Sequence, residues 1–255
     1  MNEHLYILTG ASRGMGAAIA EQLLQPANVL LCMSRQRSDT LAAKAANATT
    51  TSVHCEQWQV DLAQPIEAAA RLQAWLMGLD GHRFASATLI NNAAALTRIG
   101  AIDDCTDAEL AAAMRVGLEA PMLLSAAFLR ATRGWSAAKR VLNISSGLGR
   151  RAMAGQASYC AMKAGLDHFT RALALDEAQR SGGARVVSLA PGVIDTDMQV
   201  QLRSADPAGF PDQALFIGWQ RDGQLASPKQ AAASVLAYLN RADFGSQPIA
   251  DVRDA

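Results

Sequence analysis

Short β-rich runs alternate with long Ala/Leu-rich stretches of helical period from one end of the chain to the other, and that order tolerates few architectures. Strands separated by crossover helices line up parallel in one sheet, because each crossover returns the chain with the polarity of the strand before it. The periodicity predicts strands over 5–9, 28–34, 52–60, 87–90, 140–144 and 185–189, with a weak seventh at 247–250. It predicts helices over 14–25, 39–47, 64–79, 107–132, 156–180 and 228–240, with Pro121 kinking the fourth or ending its first half. The fold class is therefore α/β, a doubly wound sheet of about seven parallel strands with helices on both faces. Half of the 255 residues are apolar and 18% are charged, enough core for residues 1–255 to form a single domain.

Charge and cysteine usage narrow the partners. Lys plus Arg and Asp plus Glu stand at 23 each, so no net field recruits nucleic acid or an anionic membrane. Cys32, Cys55, Cys105 and Cys160 lack metal-ligand spacing and read as thiols in a reducing compartment. The opening Met1-Asn2-Glu3-His4 carries an acid where an export signal is basic, and Arg, Gly or Pro interrupts every apolar run before it reaches membrane-spanning length. A cytoplasmic protein is the expectation. Over 191–228 the rhythm breaks among Pro207, Gly209, Pro211, Gly218 and Gly223, with Phe210, Phe216 and Trp219 between them. That segment reads as a mobile substrate lid or as an ordinary long connection.

Chemistry first appears after the first strand, in Thr9-Gly10-Ala11-Ser12-Arg13-Gly14-Met15-Gly16. Glycines between a strand and a helix let the backbone turn sharply and approach a pyrophosphate, whose charge sits against the free N–H groups of the helix start. This is a Rossmann-like dinucleotide turn. An acid about 20 residues past the glycines reads the free 2′-hydroxyl of NAD; here the second strand ends in Ser34-Arg35. A guanidinium there suits a 2′-phosphate, and Arg13 offers a second cation, so NADPH/NADP is the predicted cofactor. Arg35 and Arg37 as solvated surface residues are the alternative.

Tyr159 and Lys163 are separated by four and share one helix face. A phenol of ordinary pKa about 10 is a poor catalyst at neutral pH, and an adjacent ammonium lowers that value. Tyr159 would then pass a proton to a carbonyl oxygen as hydride arrives at carbon.

The Gly-x-x-x-Gly-x-Gly spacing, Asn91-Asn92-Ala93-Ala94 after the fourth strand, Asn143-Ile144-Ser145-Ser146 ending the fifth, Tyr159-Cys160-Ala161-Met162-Lys163 opening the next helix and Pro191-Gly192-Val193-Ile194-Asp195-Thr196 after the sixth resemble, in order, the short-chain dehydrogenase/reductase family. The likeness covers nearly the whole chain. It implies a catalytic Ser146 beside Tyr159 and Lys163, with Ser145 as a structural neighbour. It also implies cofactor contacts from Gly10, Ser12, Arg13, Gly14, Met15 and Gly16, from Asp61 and Leu62 along the adenine, and from Asn92 near the adenosine ribose. Tyr159, Lys163, Pro191, Gly192, Ile194 and Thr196 would serve the nicotinamide and phosphates. Asp61 and Asn92 equally suit plain loop chemistry, and Thr196 or Asp195 a helix cap. One position departs: the family's relay Asn aligns with Gly117 in Arg115-Val116-Gly117-Leu118, where vacated space would admit another water.

Within the family, the runs 193–199 and 222–228 look most like sepiapterin reductase and benzil-type diketone reductases, which reduce a carbonyl beside a second carbonyl. Asp251 stands approximately where sepiapterin reductase holds its substrate's amino group, or is a solvated tail acid. Leu148, Met153, Met198, Phe216 and Trp219 offer an apolar wall for a flat or aromatic substrate, or ordinary core. The reading is NADPH-dependent reduction of a small-molecule carbonyl by a homodimer or homotetramer, paired through helices 107–132 and 156–180. A non-catalytic NADP-binding regulatory protein and a family epimerase or dehydratase stay open beside it.

Overall fold

The computed structural model describes residues 3–47 and 54–254. Seven strands, β1 (Glu3–Thr9), β2 (Asn28–Ser34), β3 (His54–Gln59), β4 (Phe84–Asn91), β5 (Ala138–Ile144), β6 (Arg185–Ala190) and β7 (Ile249–Asp251), form one sheet in the order β3-β2-β1-β4-β5-β6-β7. All neighbouring pairs are parallel. Positions 52 and 53 of the predicted third strand lie outside the described residues.

Side chains of successive strand residues point to opposite faces, and each face has its own helical cover. Leu5, Ile7, Leu31 and Met33 pack toward α3 (Pro65–Met77) and α5 (Ala120–Thr132). Tyr6, Leu8, Leu30 and Cys32 pack toward α1 (Gly14–Leu23), α2 (Asp39–Asn47) and α9 (Pro228–Leu239). Leu72, Leu76, Leu124 and Phe128 are fully buried, each worth about 1.5–3 kcal/mol in area removed from water. Such apolar runs in every central strand are why the sheet is buried on both sides.

Between α4 (Asp107–Met114) and α5 the chain makes a π-helical turn over Arg115–Glu119. Pro121 has no N–H for the Gly117 carbonyl, and its ring crowds that carbonyl, so the helix widens by one residue without breaking. A Thr106/Glu109 capping box starts α4. The stretch Asp107–Thr132 is long and apolar enough to cross a membrane, with a mean hydropathy of 1.3 over its best window, which corrects the expectation that no run reaches that length. Half of that window is buried in the fold, where Leu124, Ala127 and Phe128 pack on the sheet. The long helix α6 (Ala157–Ala178) follows β5.

The irregular segment after β6 contains α7 (Asp197–Arg203) and α8 (Gln213–Arg221), which the scattered Gly and Pro hid from the sequence reading. Phe210 and Phe216 have ring centroids 5.4 Å apart, and Phe216 and Trp219 meet edge to face at 4.9 Å. This aromatic packing seats α8 on the segment before it, and Leu202 and Met198 of α7 join the same cluster.

Candidate active site

The sheet order reverses between β1 and β4, and a crevice opens at the carboxyl ends of strands flanking such a point. Gly10 follows β1 at φ +70°, a conformation that favours glycine. A β-carbon there would come within 3.0 Å of Ala93 Cα and of Asn92 Nδ2, and one at Gly16 would overlap the Gly10 carbonyl oxygen. Asn92 Nδ2 donates to the carbonyls of Thr9 (2.9 Å) and Gly10 (3.2 Å), while the backbone N–H groups of Asn92 and Ala93 donate to Thr9 Oγ1. Asn92 thus holds the turn itself, which is the loop role left open beside a ribose contact.

Gly14, at φ +56°, starts α1. This helix has no side-chain cap and no acid in its first turn, so its first N–H groups and positive dipole end are left for an external anion. The turn therefore fits a dinucleotide pyrophosphate, held by backbone from Ser12 to Gly16. The Met15 side chain is in the core beneath and leaves only its backbone to the site. Arg35 lies exposed just past β2. Arg13, exposed, pairs with Asp197 at the start of α7 (3.1 Å), so the second predicted cation is already engaged across the crevice. Asp61 accepts from the Ala63 N–H (3.0 Å) in a local turn, and the Leu62 side chain is buried in the core. At Leu62 only the backbone is left to the crevice, because the apolar side chain is worth more inside, while the Asp61 side chain stays exposed.

Beyond β6, Pro191 leads into Gly192 at φ +81°. Ile194 bridges to Ala226, and Asp195 N–H donates to the Ala226 carbonyl (2.9 Å), so this strip is pinned to the segment before α9. Thr196 is the N-cap residue of α7 in extended backbone, though its hydroxyl makes no cap bond. Its methyl is what a β-carbon at Gly14 would meet, at 3.5 Å, which puts the Pro-Gly strip against the glycine turn.

At the other end of the crevice, Ser146 follows β5 and caps a short turn, its Oγ accepting from the Leu148 N–H (3.2 Å). Tyr159, in the first turn of α6, is half-buried. Lys163, one turn on, is 2% exposed and its Nζ lies 5.7 Å from the Tyr159 ring centroid. That ammonium donates to the Ile144 carbonyl at 2.7 Å. Burial pushes the Tyr159 phenol up to about 12, with the Ser146 hydroxyl pulling the other way. Burial also lowers Lys163 to about 8, against the attraction of Asp167. The net direction at the phenol is therefore upward, where the sequence leads one to expect a lowering. Desolvation outweighs a cation turned toward a backbone carbonyl.

Beneath these groups lies a polar network that motif reading did not reach. Asp167 Oδ1 accepts from Ser145 Oγ (2.5 Å) and Ser188 Oγ (2.6 Å), and its Oδ2 lies 3.4 Å from Arg150 Nε. Asn91 Nδ2 donates to Asn143 Oδ1 (2.8 Å), and Asn143 Nδ2 to Thr170 Oγ1 (2.9 Å), tying β4, β5 and α6 together. The readable signal for Asp167 is spacing: Tyr159, Lys163 and Asp167 recur every fourth residue on one face. Met153, Phe210, Phe216 and Leu202 form a small separate cluster, against which Leu148, Cys160, Met198 and Trp219 pack half-buried. All five predicted wall residues meet there, beside the residue that follows Tyr159.

Residues 4–207 match the short chain dehydrogenase family. The chain belongs to the short-chain dehydrogenase/reductase family. It is accordingly an oxidoreductase of carbonyl and alcohol groups that uses a nicotinamide cofactor. Among its relatives are two enzymes named benzil reductase ((S)-benzoin forming). The one from Bacillus subtilis is 34% identical, covering 93% of each chain, and the one from Bacillus cereus is 31% identical, covering 93% of this chain and 94% of its own. Among solved structures, a short-chain dehydrogenase/reductase from Burkholderia vietnamiensis is 33% identical, with a TM-score of 0.64 over 99% of this chain and 98% of its own.

Two positions in this short-chain dehydrogenase differ from expectation. At Gly117 the vacated space holds a side chain: a β-carbon there would overlap Met162 Sδ and come within 2.7 Å of Met162 Cγ. Met162 is itself fully buried, so it replaces both the asparagine and the water. Asp251, in β7, is 5% exposed and is no solvated tail acid. Arg253 takes both its oxygens, Nε to Oδ1 at 2.8 Å and Nη2 to Oδ2 at 2.6 Å, which lowers its pKa and leaves little of the carboxylate for a substrate. A cavity of about 330 Å³ lies at the start of β6, lined by Glu177, Arg180 and Arg185, at the opposite end of the sheet from this chemistry.

Proposed function

We propose that this enzyme reduces a carbonyl to an alcohol with NADPH, on a flat or aromatic diketone or a pterin-like substrate. The observation that carries the reading is the apolar cluster of Leu148, Met153, Met198, Phe216 and Trp219 around Cys160, the neighbour of Tyr159. A wall of aromatic and thioether side chains accepts a planar ring and leaves one carbonyl oxygen to the polar groups of α6 and β5. The relatives named for benzil, a diaryl diketone, support the same class. Arg35 past β2, with no acid in the place that would read a free ribose hydroxyl, favours the 2′-phosphate of NADPH.

NADPH, when bound, supplies the hydride to the carbonyl carbon. The chain's own residues do the rest. Ser146 Oγ holds the carbonyl oxygen, and Tyr159 gives its proton to that oxygen as negative charge develops there. A phenol pushed up to about 12 keeps its proton throughout the neutral range, which suits the reductive direction. Lys163, buried and charged below about pH 8, steadies the phenolate left behind until solvent returns the proton. Gly10, Ser12, Arg13, Gly14, Met15 and Gly16 would hold the pyrophosphate, and Asp61, Leu62, Asn92, Pro191, Gly192, Ile194 and Thr196 would line the remainder.

The whole chain acts as one domain in this reading, with 191–228 as a helical lid over the substrate. Met122 and Leu175 stay exposed on α5 and α6 and fit pairing of these helices in a homodimer or homotetramer. A solution-scattering mass of one chain would contradict that. Four free thiols suit a cytoplasmic setting. Incubation of the purified protein and NADPH with diketones, pterins, steroids and sugars tests the substrate class. Fastest NADPH consumption is expected with benzil-type diketones; turnover confined to sugars or steroids would overturn it.

A further inference from the structure

We propose that Asp167 is a positioning residue for the reaction, its carboxylate serving as the fixed counter-charge that holds the Lys163 ammonium in place beneath Tyr159. The proposal rests on Lys163 belonging to the proton-handling pair.

Asp167 is 2% exposed, and a lone carboxylate at that depth would be costly. Three elements meet to hold it. Ser145 from β5 and Ser188 from β6 both donate to Oδ1, and Arg150, from the turn after Ser146, approaches Oδ2 at 3.4 Å. Oδ2 has no hydrogen-bond partner of its own. Lys163, equally buried, stands four residues before Asp167 on the same helix face, so this unpaired carboxylate oxygen and the ammonium share one low-dielectric layer. Gly149 permits the approach: a β-carbon there would stand 2.9 Å from Asp167 Oδ2 and from the Lys163 carbonyl oxygen.

The surrounding charges are few. Arg150 is tied at its far side to β7, donating to the Ala250 carbonyl at 2.7 Å and lying 4.0 Å from Asp251, which Arg253 neutralises. From the π-helical turn packed on α6, Arg115 and Glu119 are exposed and Gly117 is buried. His168, next to Asp167, is exposed as well. Lys163 therefore feels burial, which lowers it to about 8, and Asp167, which opposes that fall. Removing Asp167 leaves burial alone, so the amine should lose its proton at lower pH, and the alkaline limb of reduction should move with it. Because Arg150 lies 3.4 Å from Oδ2 and offsets its charge, removing the guanidinium should act in the opposite direction.

The chain has four lysines, Lys44, Lys139, Lys163 and Lys229, so carbon-13 labelling of the lysine ε-carbons gives few signals, with Lys163 assigned by its loss in Lys163→Arg. In the full-length protein the Lys163 signal should titrate near pH 8. In Asp167→Asn its midpoint should fall by about one pH unit or more, and kcat/KM at pH 8 should drop about tenfold. In Arg150→Gln the midpoint should rise. An unchanged midpoint in a folded Asp167→Asn protein overturns the proposal. If that variant does not fold, Arg150→Gln decides: an unmoved or lowered midpoint overturns the proposal as well. A midpoint that moves while the pH profile of reduction stays put removes Lys163 from the reaction, which overturns the reading on which the proposal stands.

Discussion

The two ends of the crevice are built from different material. The proposed nucleotide end is backbone: Gly10 and Gly16 leave room where a side chain would intrude, Gly14 takes a positive φ that favours glycine, and the asparagine beside them serves to fix the turn. The reacting end is side chain, with Tyr159 and Lys163 seated on a network of Ser145, Asp167, Ser188 and Arg150 that crosses from strand to helix. Backbone sites fail when something is added, and side-chain sites fail when something is removed. Position 117 shows the rule inverted within the reacting end, since Met162 has filled what the glycine vacated and the site has there become intolerant of addition too.

Substitutions sharpen this contrast. The largest effect is expected from Gly16→Ala, whose methyl overlaps the Gly10 carbonyl oxygen. Relieving that overlap should displace the turn at a cost of ~3 kcal/mol, about a hundredfold in NADPH affinity by fluorescence titration. Wild-type affinity in this variant would show that the turn is not the nucleotide site.

Gly117→Asn comes next. With the space occupied by a buried methionine, the added side chain should destabilise the fold by ~2 kcal/mol, read as a lowered Tm and reduced turnover. The double variant with Met162→Ser should recover most of the loss. A gain in activity from the single variant would mean that Met162 yields to water and the site is open after all.

Arg35→Asp should act least, because the guanidinium is exposed and screened. A loss of ~1.5 kcal/mol for NADPH alone, about a tenfold fall in the ratio of kcat/KM for NADPH over NADH, is expected. Equal efficiency with both cofactors in the unmodified protein would remove the 2′-phosphate argument.

The same contrast explains what was legible in the chain. Strand and helix order, the glycine turn and the Tyr159/Lys163 spacing are local patterns, and local patterns are written along the sequence. Asp167 was not found, because what gives it meaning is contact with Ser145 and Ser188, 22 and 21 positions away. Met162 likewise reads as an ordinary apolar residue until α6 is laid against the π-helical turn. Arg13 looked like a phosphate ligand in the turn, yet α7, hidden among glycines and prolines, brings Asp197 to it. The rise of the Tyr159 phenol is hidden from the sequence for the same reason: charge is visible there and burial is not.

The central claim is that Tyr159 donates the proton that turns a reduced carbonyl into an alcohol, and Tyr159→Phe tests it directly. Only the transferable proton is lost, so NADPH should bind with unchanged affinity while single-turnover reduction of benzil falls by about a hundredfold or more. Retention of more than a few per cent of the wild-type rate would contradict the assignment, and an absence of turnover in both proteins despite tight NADPH binding would point to a nucleotide-binding regulatory protein.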